Sequence, residues 1–149
     1  MKICLFGGTF DPPHIGHLLI AQTVCEEENF DKILFIPAYN PPHKIENTPI
    51  KNRLEMLEIA VKGNPNFEIS DVEIKRGGIS YTIDTIQSIK NSLESKDNEY
   101  YYLMGSDSLL DFQNWKNSKE ILEECQVIVA IRPGFRPSDI PSSILDRKS

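Results

Sequence analysis

The stretch Lys2-Ile3-Cys4-Leu5-Phe6-Gly7-Gly8-Thr9-Phe10-Asp11-Pro12-Pro13-His14-Ile15-Gly16-His17 decides how the rest of the chain is read. Residues 3–6 are a short apolar run of the kind that forms a buried β-strand, expected over residues 2–6. From Ile15 to Glu28 the apolar residues return at helical spacing, with Leu18, Ala21, Val24 and Cys25 on one face and Glu26, Glu27 and Glu28 at the solvated end. Gly7 and Gly8 are expected to form the turn between the two. A strand that hands over to a helix through glycines is a place for an anion. The helix N-terminus offers unpaired N–H groups and partial positive charge, and glycine lets a phosphate reach the main chain. His14 and His17, three residues apart, would lie beside it and could hydrogen-bond charge growing on a phosphoryl oxygen.

Working outward, strand and helix patterns alternate to the end of the chain. Residues 32–37 carry a continuous Ile-Leu-Phe-Ile run, the pattern of a strand buried on both faces of a parallel sheet. Residues 50–61 place Leu54, Met56, Leu57, Ala60 and Val61 on a second helix, and residues 67–74 alternate as a half-exposed strand. Gly77-Gly78 marks a turn, Thr82 an N-cap, and Ile83, Ile86, Ile89 and Leu93 the face of the helix that follows. Residues 100–104 read as a strand closed by Gly105-Ser106-Asp107. Short helical segments carry Leu109, Leu110, Phe112 and Trp115. Residues 118–124 read as another helix and residues 126–131 as the last strand.

This alternation predicts an α/β domain over residues 1–149, with a doubly wound, mostly parallel five-stranded sheet and helices on both faces. In such sheets ligands bind beyond the carboxyl ends of the strands, where strand order reverses. Four unusual segments fall at such ends: residues 7–17, residues 37–44 with Pro41-Pro42-His43-Lys44, Gly105-Ser106-Asp107, and Arg132-Pro133-Gly134. The two prolines of the second would hold His43 and Lys44 at a set place.

Composition narrows the class. Of 149 residues, 40% are hydrophobic and 26% charged, as in an ordinary globular protein, and the net charge of −6 lacks the basic footprint that nucleic acid demands. No apolar stretch approaches a membrane span and no leader is evident, so neither a membrane nor nucleic acid is an expected partner, and a cytoplasmic location is expected. Cys4, Cys25 and Cys125 are odd in number, far apart and set in apolar segments, as reduced core thiols would be.

The turn after the first strand has neither the G-x-G-x-x-G spacing of dinucleotide folds nor the Gly-Lys-Ser/Thr of a P-loop. His14-Ile15-Gly16-His17 resembles instead the His-x-Gly-His element of the nucleotidyltransferase superfamily. The closer resemblance is to the bacterial nicotinate-nucleotide adenylyltransferase family. It is carried, in order, by residues 7–17, Pro41-Pro42-His43-Lys44, Ser80-Tyr81-Thr82-Ile83-Asp84-Thr85, Gly105-Ser106-Asp107, Phe112 with Trp115, and Arg132-Pro133-Gly134. It implies a Rossmann-like fold and transfer of AMP from ATP to nicotinate mononucleotide, giving deamido-NAD and pyrophosphate.

By that resemblance His14 and His17 are the catalytic pair. Gly7, Gly8, Thr9, Phe10, Gly105, Asp107 and Arg132 bind ATP. His43, Lys44, Tyr81, Thr82 and Trp115 bind the acceptor, with Trp115 on the pyridine ring and amides near Tyr81 and Thr82 on its carboxylate. Mg²⁺ enters with the ATP phosphates and takes no protein side chain. The family continues past its last strand to a Ser-Ser-Thr-x-x-Arg phosphate clamp. Ser142-Ser143-Ile144-Leu145-Asp146-Arg147 departs from it at Ile144 with two residues to follow, so the chain reads as C-terminally shortened.

Ordinary readings of the same residues stay open. The histidines could be half a metal site or packing residues, Trp115 a core residue, Lys44 a solvated charge, Asp107 and Thr82 caps, and Arg132 the close of a strand. Two further functions stay open with them: adenylyl transfer to another acceptor such as phosphopantetheine, and a non-catalytic nucleotide-binding domain.

Overall fold

The computed structural model describes residues 1–8, 10, 13, 15–39, 48–79, 81–92, 97–105 and 112–130. Strands β1 (Lys2–Gly8), β2 (Lys32–Pro37), β3 (Phe67–Ile69), β4 (Glu99–Gly105) and β5 (Gln126–Ala130) form one sheet in the order β3-β2-β1-β4-β5. Every neighbouring pair is parallel. The expected doubly wound, five-stranded α/β sheet is therefore present, and among the described strands it is wholly parallel. Helices α1 (Ile15–Glu28) and α2 (Ile50–Val61) cover one face, and α3 (Val72–Arg76), α4 (Thr82–Ser92) and α5 (Ser118–Glu124) cover the other.

Side-chain alternation in the strands fills both layers. Ile3 and Leu5 of β1, with Leu34 and Ile36 of β2, face α4, whereas Cys4, Phe6, Ile33 and Phe35 face α1 and α2. The continuous apolar runs follow from that two-sided burial. Ala21, Val24 and Cys25 are the buried face of α1, as their spacing predicts. This helix ends at Asn29, which has a φ of 56°, while the Phe30 N–H donates to the Cys25 carbonyl at 3.1 Å. An asparagine in the left-handed region tolerates that reversal, and the six-to-one bond satisfies an end carbonyl. All three cysteines are free and buried.

Three local expectations are corrected. Residues 67–74 are not one strand: β3 stops at Ile69 and Val72–Arg76 is a helical turn. The Val/Glu/Ile alternation misleads because the inward residue is the polar one, Glu73, whose Oε2 accepts a 2.7 Å hydrogen bond from Thr85 Oγ1. Gly7 and Gly8 do not form a turn but are the last two residues of β1, paired with Ile36 and Pro37. Thr82 is the first helical residue rather than the cap. The cap position falls to Tyr81, whose carbonyl accepts the Thr85 N–H at 3.2 Å. Strand β4 begins at Glu99, and β5 is described to Ala130; Leu93 and Ile131 lie outside the described residues.

Candidate active site

The sheet opens where its order reverses. β1 stays paired with β2 as far as Gly8, but its last pair with β4 is Phe6 with Leu103. Both strands run two residues further, to Gly8 and to Gly105, and Gly105 pairs outward with Ala130 of β5. The split lies at the topological switch point, at the carboxyl ends of parallel strands, where α/β sheets take their ligands. Gly7, Gly8 and Gly105 are therefore on its rim, as expected.

The adjacent glycines face opposite layers. A Cβ on Gly7 would come within 2.6 Å of the Tyr102 hydroxyl, a distance real contacts do not show. Among the described residues, a Cβ on Gly8 would meet only the edge of the Phe10 ring, at 3.5 Å, which is ordinary contact. Gly7 is thus required by its own protein, whereas no described residue requires a glycine at position 8. Neither has positive φ, so neither is there for a tight turn.

On the α1 side, the chain leaves β1 through Phe10, a non-glycine residue at φ 50° that buries its ring to 2% exposure. Holding an L-residue in that region costs about 1–2 kcal/mol, and such outliers gather at functional sites. The Phe10 ring is edge-on to Phe6 at 5.6 Å and to His17 at 5.2 Å, and His17 also meets Phe6 at 6.1 Å. The Phe10 side chain is therefore core, which leaves only its main chain for a ligand. His17, in the first turn of α1, is half-buried and oriented by these two rings. The Ala38 N–H donates to the Gly8 carbonyl at 2.8 Å, tying the exit of β2 to that of β1.

On the α4 side, the same opening is lined through Tyr102. Its ring is edge-on to Trp115 at 6.3 Å, and Trp115 packs on Phe112 at 5.3 Å. Burial raises the Tyr102 pKa most, the neighbouring Thr82 side chain works against that rise, and the charge of Glu73 adds to it. The phenol therefore stays protonated at neutral pH. Tyr81, half-buried, carries the Lys116 ammonium over its ring at 4.6 Å. Thus Gly7, Thr82 and Trp115 converge on one side chain, with Tyr81 next in the chain to Thr82. Trp115 has both its core role and a place beside the split.

Sequence reasoning overlooked Tyr102 and Arg53. Tyr102 sits in a Tyr-Tyr-Tyr run in which nothing marks the middle strand position as special. Arg53 is 2% exposed and donates from Nη1 to the Ala38 carbonyl at 2.6 Å and from Nε to the Thr48 carbonyl at 2.8 Å. It thereby joins the two ends of the segment that carries His43 and Lys44. The missed signal was spacing: Arg53, Leu57 and Val61 are the buried positions of α2, four apart. Thr9, His14, His43, Lys44, Asp107 and Arg132 lie outside the described residues. Among the described residues no three His, Cys, Asp or Glu side chains gather as a metal site, and no helix is long and apolar enough to cross a membrane.

A cytidylyltransferase-like family model matches residues 5–148. Curated relatives include two proteins named "Probable nicotinate-nucleotide adenylyltransferase". That of Thermomicrobium roseum is 45% identical over 136 residues, 90% of this chain and 63% of the relative. That of a Thermoanaerobacter species is 40% identical over 146 residues, 97% of this chain and 69% of the relative. The chain thus spans less than two thirds of the first relative's length and slightly more than that of the second. Among solved structures, the nicotinic acid mononucleotide adenylyltransferase of Plasmodium falciparum, complexed with NaAD, superposes with a TM-score of 0.84 at 22% identity. The match covers 99% of this chain and 71% of that one, a likeness of fold. The fold is in this way a shared one, and the family match with the two relatives decides membership: the chain belongs to the cytidylyltransferase-like family and, within it, to the nicotinate-nucleotide adenylyltransferases.

Proposed function

We propose that the protein transfers AMP from ATP to nicotinate mononucleotide, forming deamido-NAD and pyrophosphate in NAD biosynthesis. The observation that carries this reading is the convergence of Gly7, Thr82 and Trp115 on Tyr102 at the split between β1 and β4. Residues matched to a donor site and to an acceptor site are there brought within one side chain of each other. Two relatives of the same named activity, at 40% and 45% identity, support it.

In this reading a phosphate oxygen of nicotinate mononucleotide attacks the α-phosphorus of ATP. A new P–O bond forms as the bond from the α-phosphorus to the bridging oxygen breaks, and pyrophosphate departs with that electron pair. No covalent intermediate on the protein is needed, so the site works by positioning and by stabilising charge on phosphoryl oxygens. His17, held by Phe6 and Phe10, and His14 hydrogen-bond those oxygens. The main chain at Gly7, Gly8, Thr9 and Phe10 approaches the phosphates, with Gly105, Asp107 and Arg132 on the adenosine side. His43 and Lys44 contact the acceptor phosphate, Trp115 its ring, and the amides at Tyr81 and Thr82 its carboxylate. Mg²⁺ belongs to this reading as the partner of the ATP phosphates, and the described residues offer no protein ligand set for it. A cytoplasmic location is part of the same reading, supported by three unpaired core thiols.

The test is pyrophosphate release from ATP with nicotinate mononucleotide, its amide, or phosphopantetheine as acceptor. Release with the acid form, reduced roughly 100-fold or more in His17→Ala, is the expected result. Absence of release with every acceptor, despite nucleotide binding, would leave a nucleotide-binding domain instead.

A further inference from the structure

We propose that Glu73, Thr85 and Arg76 are positioning residues for the acceptor, acting through the segment that ends at Tyr81 and Thr82. The proposal rests on the acceptor site assigned above. Between α3 and α4 the chain passes through Gly77 and Gly78, both at positive φ, 67° and 68°, with no described residue near the place where either Cβ would be. These glycines are needed for backbone shape alone, and glycine supplies that shape without stiffness. Rigidity must come from elsewhere.

It comes from Thr85, which is 2% exposed and one turn into α4. Its Oγ1 donates to Glu73 Oε2 at 2.7 Å, with the Tyr81 carbonyl at 3.2 Å as a second acceptor for the same proton. The same oxygen accepts from Arg76 Nη2 at 3.0 Å. One hydroxyl therefore touches the entry of the turn, at Glu73 and Arg76, and its exit, at Tyr81. Glu73 is itself buried, and its Oε1 has no hydrogen-bond partner among the described residues. A carboxylate kept in the interior on one satisfied oxygen is an expensive way to make a core contact. Its charge is also felt at Tyr102, the side chain that lies beside Thr82 and against Gly7. The node consequently sets the direction of the first N–H groups of α4 relative to the split, while touching no substrate.

A positioning role of this kind predicts a loss confined to one substrate. In steady-state titrations of the whole chain, Thr85→Val should raise KM for nicotinate mononucleotide roughly five- to tenfold. KM for ATP and kcat should stay within about twofold. Thr85→Ser, which restores the hydroxyl, should restore KM. Arg76→Gln, at an exposed residue where folding is not at stake, should raise the same KM roughly two- to threefold and serves as the test if Thr85→Val does not fold. An equal rise in both KM values, or a lower melting temperature with unchanged KM, would overturn the proposal and leave a purely structural node. If the unaltered chain releases no pyrophosphate, quenching of Trp115 by nicotinate mononucleotide takes the place of turnover. Weaker quenching in Thr85→Val then supports the node although the catalytic reading has failed, and identical curves, or no quenching at all, overturn it.

Discussion

Gly7 and Gly8 are adjacent in sequence, identical in type and opposite in environment. Gly8 faces the α1 layer, where Phe6, Phe10, Phe35 and His17 meet edge-on and tilted at 5.2–6.1 Å. Gly7 faces the α4 layer, where a buried phenol lies beside Thr82 and packs on Trp115. Aromatic contact has a broad optimum, so rings can shift by tenths of an ångström at small cost. A phenol buried to 6% exposure and edge-on to Trp115 has little free volume to move into. The two layers thus hold the same rim with different tolerance. The α1 layer is adaptable, and the α4 layer is fixed.

The largest effect should come from the polar anchor in the adaptable layer. Arg53→Met removes two charge-assisted bonds and leaves the Ala38 and Thr48 carbonyls to find other partners, at a cost of about 3 kcal/mol. A loss below about 1 kcal/mol in denaturant melts would mean that this layer is held by its rings alone.

Gly7→Ala comes next. The 2.6 Å approach forces Tyr102 to move, costing about 1–3 kcal/mol, or roughly 2–9 °C in Tm. Tyr102→Phe removes the obstructing atom and should recover most of that loss in the double variant, although alone it costs about 1 kcal/mol as an ordinary buried substitution. Simple additivity of the two changes would show that the hydroxyl is not what excludes a Cβ from Gly7.

Alkaline pH separates the layers more gently, because Cys4 and Cys25 lie in the α1 layer, and Cys125 and Tyr102 in the α4 layer. Burial raises all four pKa values, that of Cys125 from 9.0 to about 12. Unfolding lets these groups ionise, so their contribution to stability is complete below the ordinary thiol value of 9.0 and falls as pH climbs from there towards about 12 for Cys125. Tm should decline above pH 9, and the decline should lessen in Cys125→Ala. A profile indifferent to that substitution would place the loss elsewhere.

The smallest change in stability belongs to Gly8→Ala, within about 1 kcal/mol, because among the described residues its Cβ meets only ordinary contact. Since no described residue requires glycine there, weakened ATP binding in a variant of normal Tm would assign the open space to the nucleotide. Normal ATP binding would remove Gly8 from the site.

Much of the fold was legible because it rests on patterns short in range. The Ile-Leu-Phe-Ile run of β2 and the spacing of Ala21, Val24 and Cys25 state their burial directly, and parallel strands demand helical crossovers between them. Val72-Glu73-Ile74 was misread because three residues cannot separate a strand from one helical turn, and a buried carboxylate reverses the usual inside-outside rule. Arg53 was passed over for the same reason, as a charge on the apolar side of a helix.

By itself the sequence determined the alternation of strand and helix, the apolar runs of β1 and β2, and the place of Gly7, Gly8 and Gly105 at the carboxyl ends of their strands. These are properties of neighbours along the chain, set by side-chain period and backbone freedom. Only the tertiary structure decided that Gly7 answers to Tyr102 and Gly8 to Phe10, that Thr85 joins Glu73, Arg76 and Tyr81, and that β1 parts from β4 after Phe6. Each of these depends on which atoms from different elements compete for the same few cubic ångströms. Close packing settles that competition between elements, and no local period along the chain records it.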